Sequence, residues 1–234
     1  MEAVELTSAD GWGAEERAVL TVYAIPISLY CAKLRILLRH KGLEWREVLP
    51  PGGYGADEYK ETVPSGNLPA LDDDGLVIGD SEAIAEYLEE KFPAPPMMPD
   101  GTSARARVRE LSRFHDTRLE PELRKIFPHI RRDARDAGVA ATQSLALSER
   151  LAQLARLLPD HDSARSDTLT LADCGFPITF MWLDLLGEPM GLRVEWPGEV
   201  VTYRERLKRF DAVVNEMESY RGALAQWFLE NAVS

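Results

Sequence analysis

Three stretches of the chain hold the side chains best suited to chemistry. The first is Ile25-Pro26-Ile27-Ser28-Leu29-Tyr30-Cys31, which brings together a hydroxyl, a phenol and a thiol. Ser28 stands at the entrance of a helix, where unpaired backbone N–H groups and the helix dipole favour an anion. Serine is also a common N-cap, and both readings stand at this point. Cys31 reacts only as its thiolate. The second stretch runs from Asn67-Leu68-Pro69-Ala70-Leu71 to Asp80-Ser81. Asp80-Ser81 opens a helix and offers N–H groups to a carboxylate, or caps that helix with no ligand at all. The third is His115 and Arg118, three residues apart and on one helix face with Leu111 and Phe114. That grouping sets an apolar plate beside two groups able to meet an anion. There is no Cys/His cluster with zinc-ligand spacing, and no Walker or dinucleotide-binding glycine pattern, so no metal is expected.

The elements that must position these residues fall into two halves. Leu20 to Ile25 is a β-branched and aromatic run that stops at Pro26, a strand. Cys31 to Lys41 carries Leu34, Leu37 and Leu38 at helical spacing and ends at Gly42. Leu43 to Leu49 is extended again, which favours a parallel pair with the first strand. A short helix precedes Thr62. Leu68 to Leu71 and Leu76 to Ile78 then flank an Asp-Gly turn, an antiparallel hairpin. A helix from Asp80-Ser81 closes the half, and β-α-β-(α)-β-β-α is the order of a thioredoxin fold. The proline-rich run Phe92 to Pro99 cannot be helical, and beyond it the pattern is helical throughout. Helices are expected near Ser144 to Leu158, from Thr170 to Leu186, and as a pair over Val200 to Asn231. Thr170 to Asp173 has the form of a capping box.

Composition narrows the function classes. At 234 residues, 45% hydrophobic and 28% charged, the chain is long enough for two modest globular domains. A net charge of −12 argues against nucleic acid and anionic membrane as partners. Met1 to Leu20 carries five carboxylates and one arginine, the reverse of a secretory leader, and a cytoplasmic location is expected. Only Cys31 and Cys174 occur, which fits a reducing compartment. From Arg105 to Arg135 the balance reverses, with ten Arg or Lys against five carboxylates. That run is either a solvated basic face or a basic wall beside an anionic ligand.

Five motifs, in register from about residue 20 to 190, resemble those of cytosolic glutathione transferases. Ile25 to Arg35 is similar to the family's strand-to-helix signature, with Ser28 at the catalytic position. Asn67 to Leu71 resembles its cis-proline turn, and Asp80-Ser81-Glu82-Ala83-Ile84 its γ-glutamyl motif, with Asp for the usual Glu. Pro93 to Pro99 is similar to its linker, and Thr170 to Cys174 to its helical capping motif.

The resemblance implies an α/β thioredoxin-like N-terminal domain plus an all-α helical C-terminal domain, paired as a homodimer. The expected boundaries are an acidic extension over 1–18, the glutathione-binding domain over 19–95, a linker over 96–104 and the helical domain over 105–234. It further implies a detoxifying transferase that uses glutathione as co-substrate. Ser28 would donate a hydrogen bond to the glutathione sulfur and favour its thiolate, which attacks a small-molecule electrophile. The backbone of Leu68, turned outward by a cis Pro69, would pair with the cysteinyl unit. Asp80 would take the γ-glutamyl ammonium and Ser81 the γ-glutamyl carboxylate. Lys41 or Lys60 would meet the glycyl carboxylate. Leu29, Tyr30, Phe114, His115 and Arg118 would line the electrophile pocket. Tyr30, Tyr23 and Cys31 are rivals to Ser28, and a working Cys31 would make the chain a thiol-disulfide reductase. The same fold would also accommodate a glutathione-dependent isomerase, a dehalogenase or a non-catalytic ligand-binding protein.

Overall fold

The computed structural model describes residues 19–158 and 167–230, so the expected acidic extension lies outside them. Four strands and three helices form the first layer: β1 (Leu20–Tyr23), α1 (Leu29–Lys41), β2 (Trp45–Val48), α2 (Asp57–Lys60), β3 (Ala70–Asp73), β4 (Leu76–Ile78) and α3 (Ser81–Lys91). The sheet order is β2-β1-β3-β4, with β1 parallel to β2 and antiparallel to β3. The β3–β4 turn places Asp74 and Gly75 at φ +54° and +88°, while the Asp72 carboxylate accepts the Gly75 amide at 2.9 Å. Two successive left-handed residues match the twist of a tight hairpin. α1 stops where Gly42 enters the left-handed region at φ +62°, as its position after the basic last turn predicts. Leu34, Ile36 and Leu37 of α1 and Ile84 and Leu88 of α3 are buried in the core.

The connection to the helical half spans 92–101, because α4 (Thr102–Phe114) already begins after Gly101 at φ +86°. This segment is bolted down rather than free. Met97 and Met98 are buried and give their amides to the Glu89 carboxylate. The Lys41 ammonium pairs with Glu89 at 2.6 Å and donates to the carbonyls of Phe92 (2.7 Å) and Pro95 (3.0 Å). Lys41 therefore does not serve the glycyl carboxylate, for its charge is consumed inside the interdomain joint.

The helical half continues from α4 through a π-helical turn (His115–Leu119) into α5 (Glu120–Arg124). Then follow α6 (Ala137–Leu157), α7 (Phe176–Met190), α8 (Gly198–Leu207) and α9 (Asp211–Glu230). α6 starts earlier than its apolar pattern suggests, because the Asp136 carboxylate caps it on the Gly138 and Val139 amides. The capping box at Thr170 forms, but over a 3-10 turn (Leu171–Cys174) ahead of α7. Asp173, fully buried, also receives the Tyr203 hydroxyl and the Arg206 guanidinium.

Candidate active site

α1 begins where β1 gives out. Ser28 has extended dihedrals (φ −74°, ψ 123°) and its Oγ accepts the Cys31 amide at 3.3 Å. The serine is thus an N-cap, and this does not exclude a second task. A hydroxyl that accepts through a lone pair keeps its own hydrogen to donate elsewhere. Ser28 lines a cleft of about 520 Å³, with Leu29 and Tyr30 beside it. Cys31 is 1% exposed and burial pushes its thiol pKa up, outweighing the Ser28 hydrogen bond. A buried thiol with a raised pKa is a poor nucleophile, so the reductase reading loses its working group.

Leu68 and the Gly79-Asp80-Ser81 entry to α3 line the same cleft, and the Leu68–Pro69 bond is cis. Asp80 is the N-cap of α3: its Oδ1 accepts the amides of Glu82 and Ala83, both at 3.0 Å. One carboxylate oxygen is spent on the helix. Its Oδ2 has no hydrogen bond to the described residues. Lys60 pairs with Asp57 and does not line the cleft.

The helical wall differs from the expected one. Arg113, Asp116, Arg124 and Phe127 face the cleft, whereas Phe114, His115 and Arg118 do not. Phe114 and Arg118 border a separate groove with Gln153 and Leu157 of α6. His115, 1% exposed, bridges the Asp116 carboxylate and the Thr179 hydroxyl, at 2.8 Å each. Its ring packs where Gly175 has no side chain; a Cβ there would lie 2.5 Å from the imidazole. The expected electrophile wall is corrected accordingly. Leu111 and His115 turn into the core with Val108 and Leu119, while Phe114 and Arg118 share the neighbouring face, so the four residues do not form one wall.

Beneath this wall lies a buried ionic cluster. The Lys33 ammonium, on a residue 2% exposed, meets Glu82 at 2.7 Å and Asp116 at 2.8 Å. Ser112 completes the cluster, donating to Glu82 at 2.7 Å. Burial pushes the Asp116 carboxyl up, yet the His115 hydrogen bond and the Lys33 charge outweigh it and hold the carboxyl below its usual range. Tyr30 donates to Glu120 at 3.1 Å, and burial together with Glu120 and Asp116 holds its phenol protonated. Arg124 pairs with Glu120 and lies 5.7 Å from the Tyr30 ring centre and 5.6 Å from that of Phe127. Tyr30 is therefore a fixed wall of the cleft rather than a base. Two arginines on the cleft were not singled out from the sequence; the basic run containing them was the available signal.

A thioredoxin-like sheet joined to a helical half, with a serine at the α1 entrance and a cis proline before β3, defines a glutathione-transferase fold. Residues 22–96 match the family model for the glutathione S-transferase, N-terminal domain. It is similar to the Stringent starvation protein A homolog of Pasteurella multocida, 29% identical over 164 residues, 69% of this chain and 73% of that one. It is also similar to the Maleylacetoacetate isomerase of Dictyostelium discoideum, 35% identical over 94 residues, 38% of this chain and 43% of that one. The solved holo structure of maleyl pyruvate isomerase, a bacterial zeta-class glutathione S-transferase, aligns with a TM-score of 0.68 at 25% identity. That alignment covers 84% of this chain and 95% of the other. Among the described residues no helix is long and apolar enough to cross a membrane, and no group of His, Cys, Asp or Glu could hold a metal ion.

Proposed function

We propose that the chain binds glutathione and uses its thiolate to attack an electrophilic carbon on a small anionic molecule. The supporting observation is that Ser28, Leu68 and the Asp80-Ser81 helix start line one cleft, with Arg113 and Arg124 on its helical wall. The Ser28 hydroxyl donates to the sulfur and stabilises the thiolate; it takes no proton. The backbone edge at Leu68 pairs with the cysteinyl unit, and α3 receives the γ-glutamyl end through Ser81 and Asp80. The arginines favour an electrophile that carries a carboxylate.

Transfer and isomerisation share this first step. In transfer a C–S bond forms and a leaving group departs with the electron pair of its bond. With a cis alkene conjugated to a carbonyl, sulfur adds to the alkene and leaves an enolate. Rotation about the new single bond follows, and the returning electron pair expels the thiolate, restoring glutathione beside the trans alkene. The two isomerases among the similar proteins favour this course over net conjugation. A second reading is a binding protein without turnover. It is favoured by the relative aligned over 73% of its length, whose name denotes no reaction.

Calorimetry with glutathione and with a des-γ-glutamyl control tests the site. Equal binding of the two, or none of either, removes the glutathione reading and leaves the binding-protein one. Ser28→Ala should lower turnover of maleyl substrates by about 10- to 1000-fold while glutathione affinity stays nearly unchanged. A homodimer, expected from the family, is checked by sedimentation of the full chain.

A further inference from the structure

The turn ahead of Ser28 is held from behind by residues far along the chain. Ile25, Pro26 and Ile27 each present a carbonyl oxygen that accepts a side-chain hydrogen bond. Arg35 reaches two of them, with Nη2 on Ile25 at 3.2 Å and Nη1 on Pro26 at 3.3 Å. The Tyr220 hydroxyl, from α9, donates to Ile27 at 2.7 Å. Both holders make further hydrogen bonds. The Arg35 guanidinium forks onto Glu47 at 2.6 and 2.7 Å and meets the buried Glu216 of α9 at 3.4 Å. The Tyr220 oxygen accepts Trp182 Nε1 of α7 at 2.7 Å. Tyr220 is 1% exposed, and burial holds its phenol protonated as a donor.

A peptide unit is planar, so fixing the Ile27 carbonyl also fixes the direction of the Ser28 amide on the same plane. That plane sets where the Ser28 side chain leaves the backbone. A hydroxyl aimed at a developing charge works only if it is already in place. We propose that Tyr220 and Arg35 are positioning residues for Ser28, clamping the turn so that its hydroxyl stays directed at the ligand sulfur. The catalytic consequence rests on the glutathione reading given above; the clamp itself does not.

Tyr220→Phe keeps the ring and removes the hydroxyl. Trp182→Phe removes another hydrogen bond of that hydroxyl but leaves it on Ile27, and serves as the stability control. Amide exchange at residues 27–31 should accelerate by about tenfold in Y220F, and in W182F should match the unmodified protein. In the same Y220F protein the pKa of bound glutathione thiol should rise, with kcat falling by about 3- to 30-fold and KM for glutathione unchanged. Unchanged exchange in Y220F, or equal acceleration in both variants, overturns the clamp. A clamp confirmed by exchange but with an unmoved thiol pKa overturns the positioning role. If the unmodified protein binds no glutathione, the functional reading fails, the positioning role falls with it, and exchange alone decides the clamp. Should Y220F not fold, Arg35→Lys takes its place: it keeps the charge toward Glu47 and loses the fork to Ile25 and Pro26, and the same outcomes apply.

Discussion

Replacing Lys33 by methionine removes a cation shared by Glu82 and Asp116 while keeping the length of the side chain. Lys33 sits at 2.7 and 2.8 Å from the two carboxylates, with the Ser112 hydroxyl at 3.5 Å. Without it Glu82 is left facing that hydroxyl, and Asp116 keeps His115 and Arg113. Breaking a buried ion pair from one side costs about 3–5 kcal/mol. For a chain of this size each kcal/mol moves the melting temperature by about 2–4 °C, so a fall of about 6–20 °C is expected. The pH dependence carries the sharper signature. In the unmodified protein the Asp116 pKa is depressed, so its stabilisation is complete above the ordinary carboxylate value of about 4 and lost only as pH falls toward the folded value. Melting should therefore be insensitive to Asp116 between pH 7 and 5. In K33M the Glu82 carboxylate is left buried without its cation, a setting that favours its protonated form in the folded state, and stability should rise as pH falls through that interval. Scanning calorimetry at pH 7, 6 and 5 measures both effects. A fall under about 2 °C with an unchanged pH slope would falsify the view that this buried cluster depends on its shared cation.

Asp80→Asn should preserve the cap on Glu82 and Ala83, melt like the unmodified protein, and weaken glutathione binding by about 5- to 10-fold through loss of charge. Asp80→Ala should add the cost of the cap, about 1 kcal/mol in a melt. Arg113→Ala and Arg124→Ala should raise KM for anionic electrophiles and spare neutral ones, measured at fixed ionic strength because exposed guanidinium groups are screened. Arg118→Ala should change neither, since it borders the other groove. Gly175→Ala should destabilise by about 1–3 kcal/mol through overpacking against the His115 ring, read from a denaturant midpoint.

Features written in neighbouring residues were legible. Ser28 followed by a helical leucine pattern and closed by Gly42 specifies α1 from both ends, and Asp74-Gly75 specifies the hairpin. The helix start at Asp80-Ser81 was equally plain, although the sequence left open whether Asp80 caps the helix or awaits a ligand; one oxygen does the first. Features decided by distant partners were not legible. His115 turns inward because its ring pairs with the Thr179 hydroxyl and Gly175 makes room, both about sixty residues away in sequence and invisible to helical periodicity. Lys41 read as a basic last-turn residue, and so it is, but Glu89 and two carbonyls of the proline-rich segment capture its charge. The basic run from Arg105 to Arg135 contains both arginines of the cleft wall, Arg113 and Arg124, but also Arg118, which borders the other groove, and the run alone does not tell them apart.

Because Tyr220 closes a turn that precedes Ser28, the two ends of the site are made at different times. A ribosome adds about 5–20 residues per second, so about 10–40 seconds separate synthesis of Ser28 from that of Tyr220. Throughout that interval the Ile27 carbonyl lacks the Tyr220 hydroxyl, and of the two holders only Arg35 has been made. A fragment ending after α8 would keep the full segment 22–96 that matches the family model, yet would lack both Glu216 and the hydroxyl on Ile27. The segment that matches the family model and the hydroxyl that holds the Ile27 carbonyl are, in this chain, encoded at opposite ends.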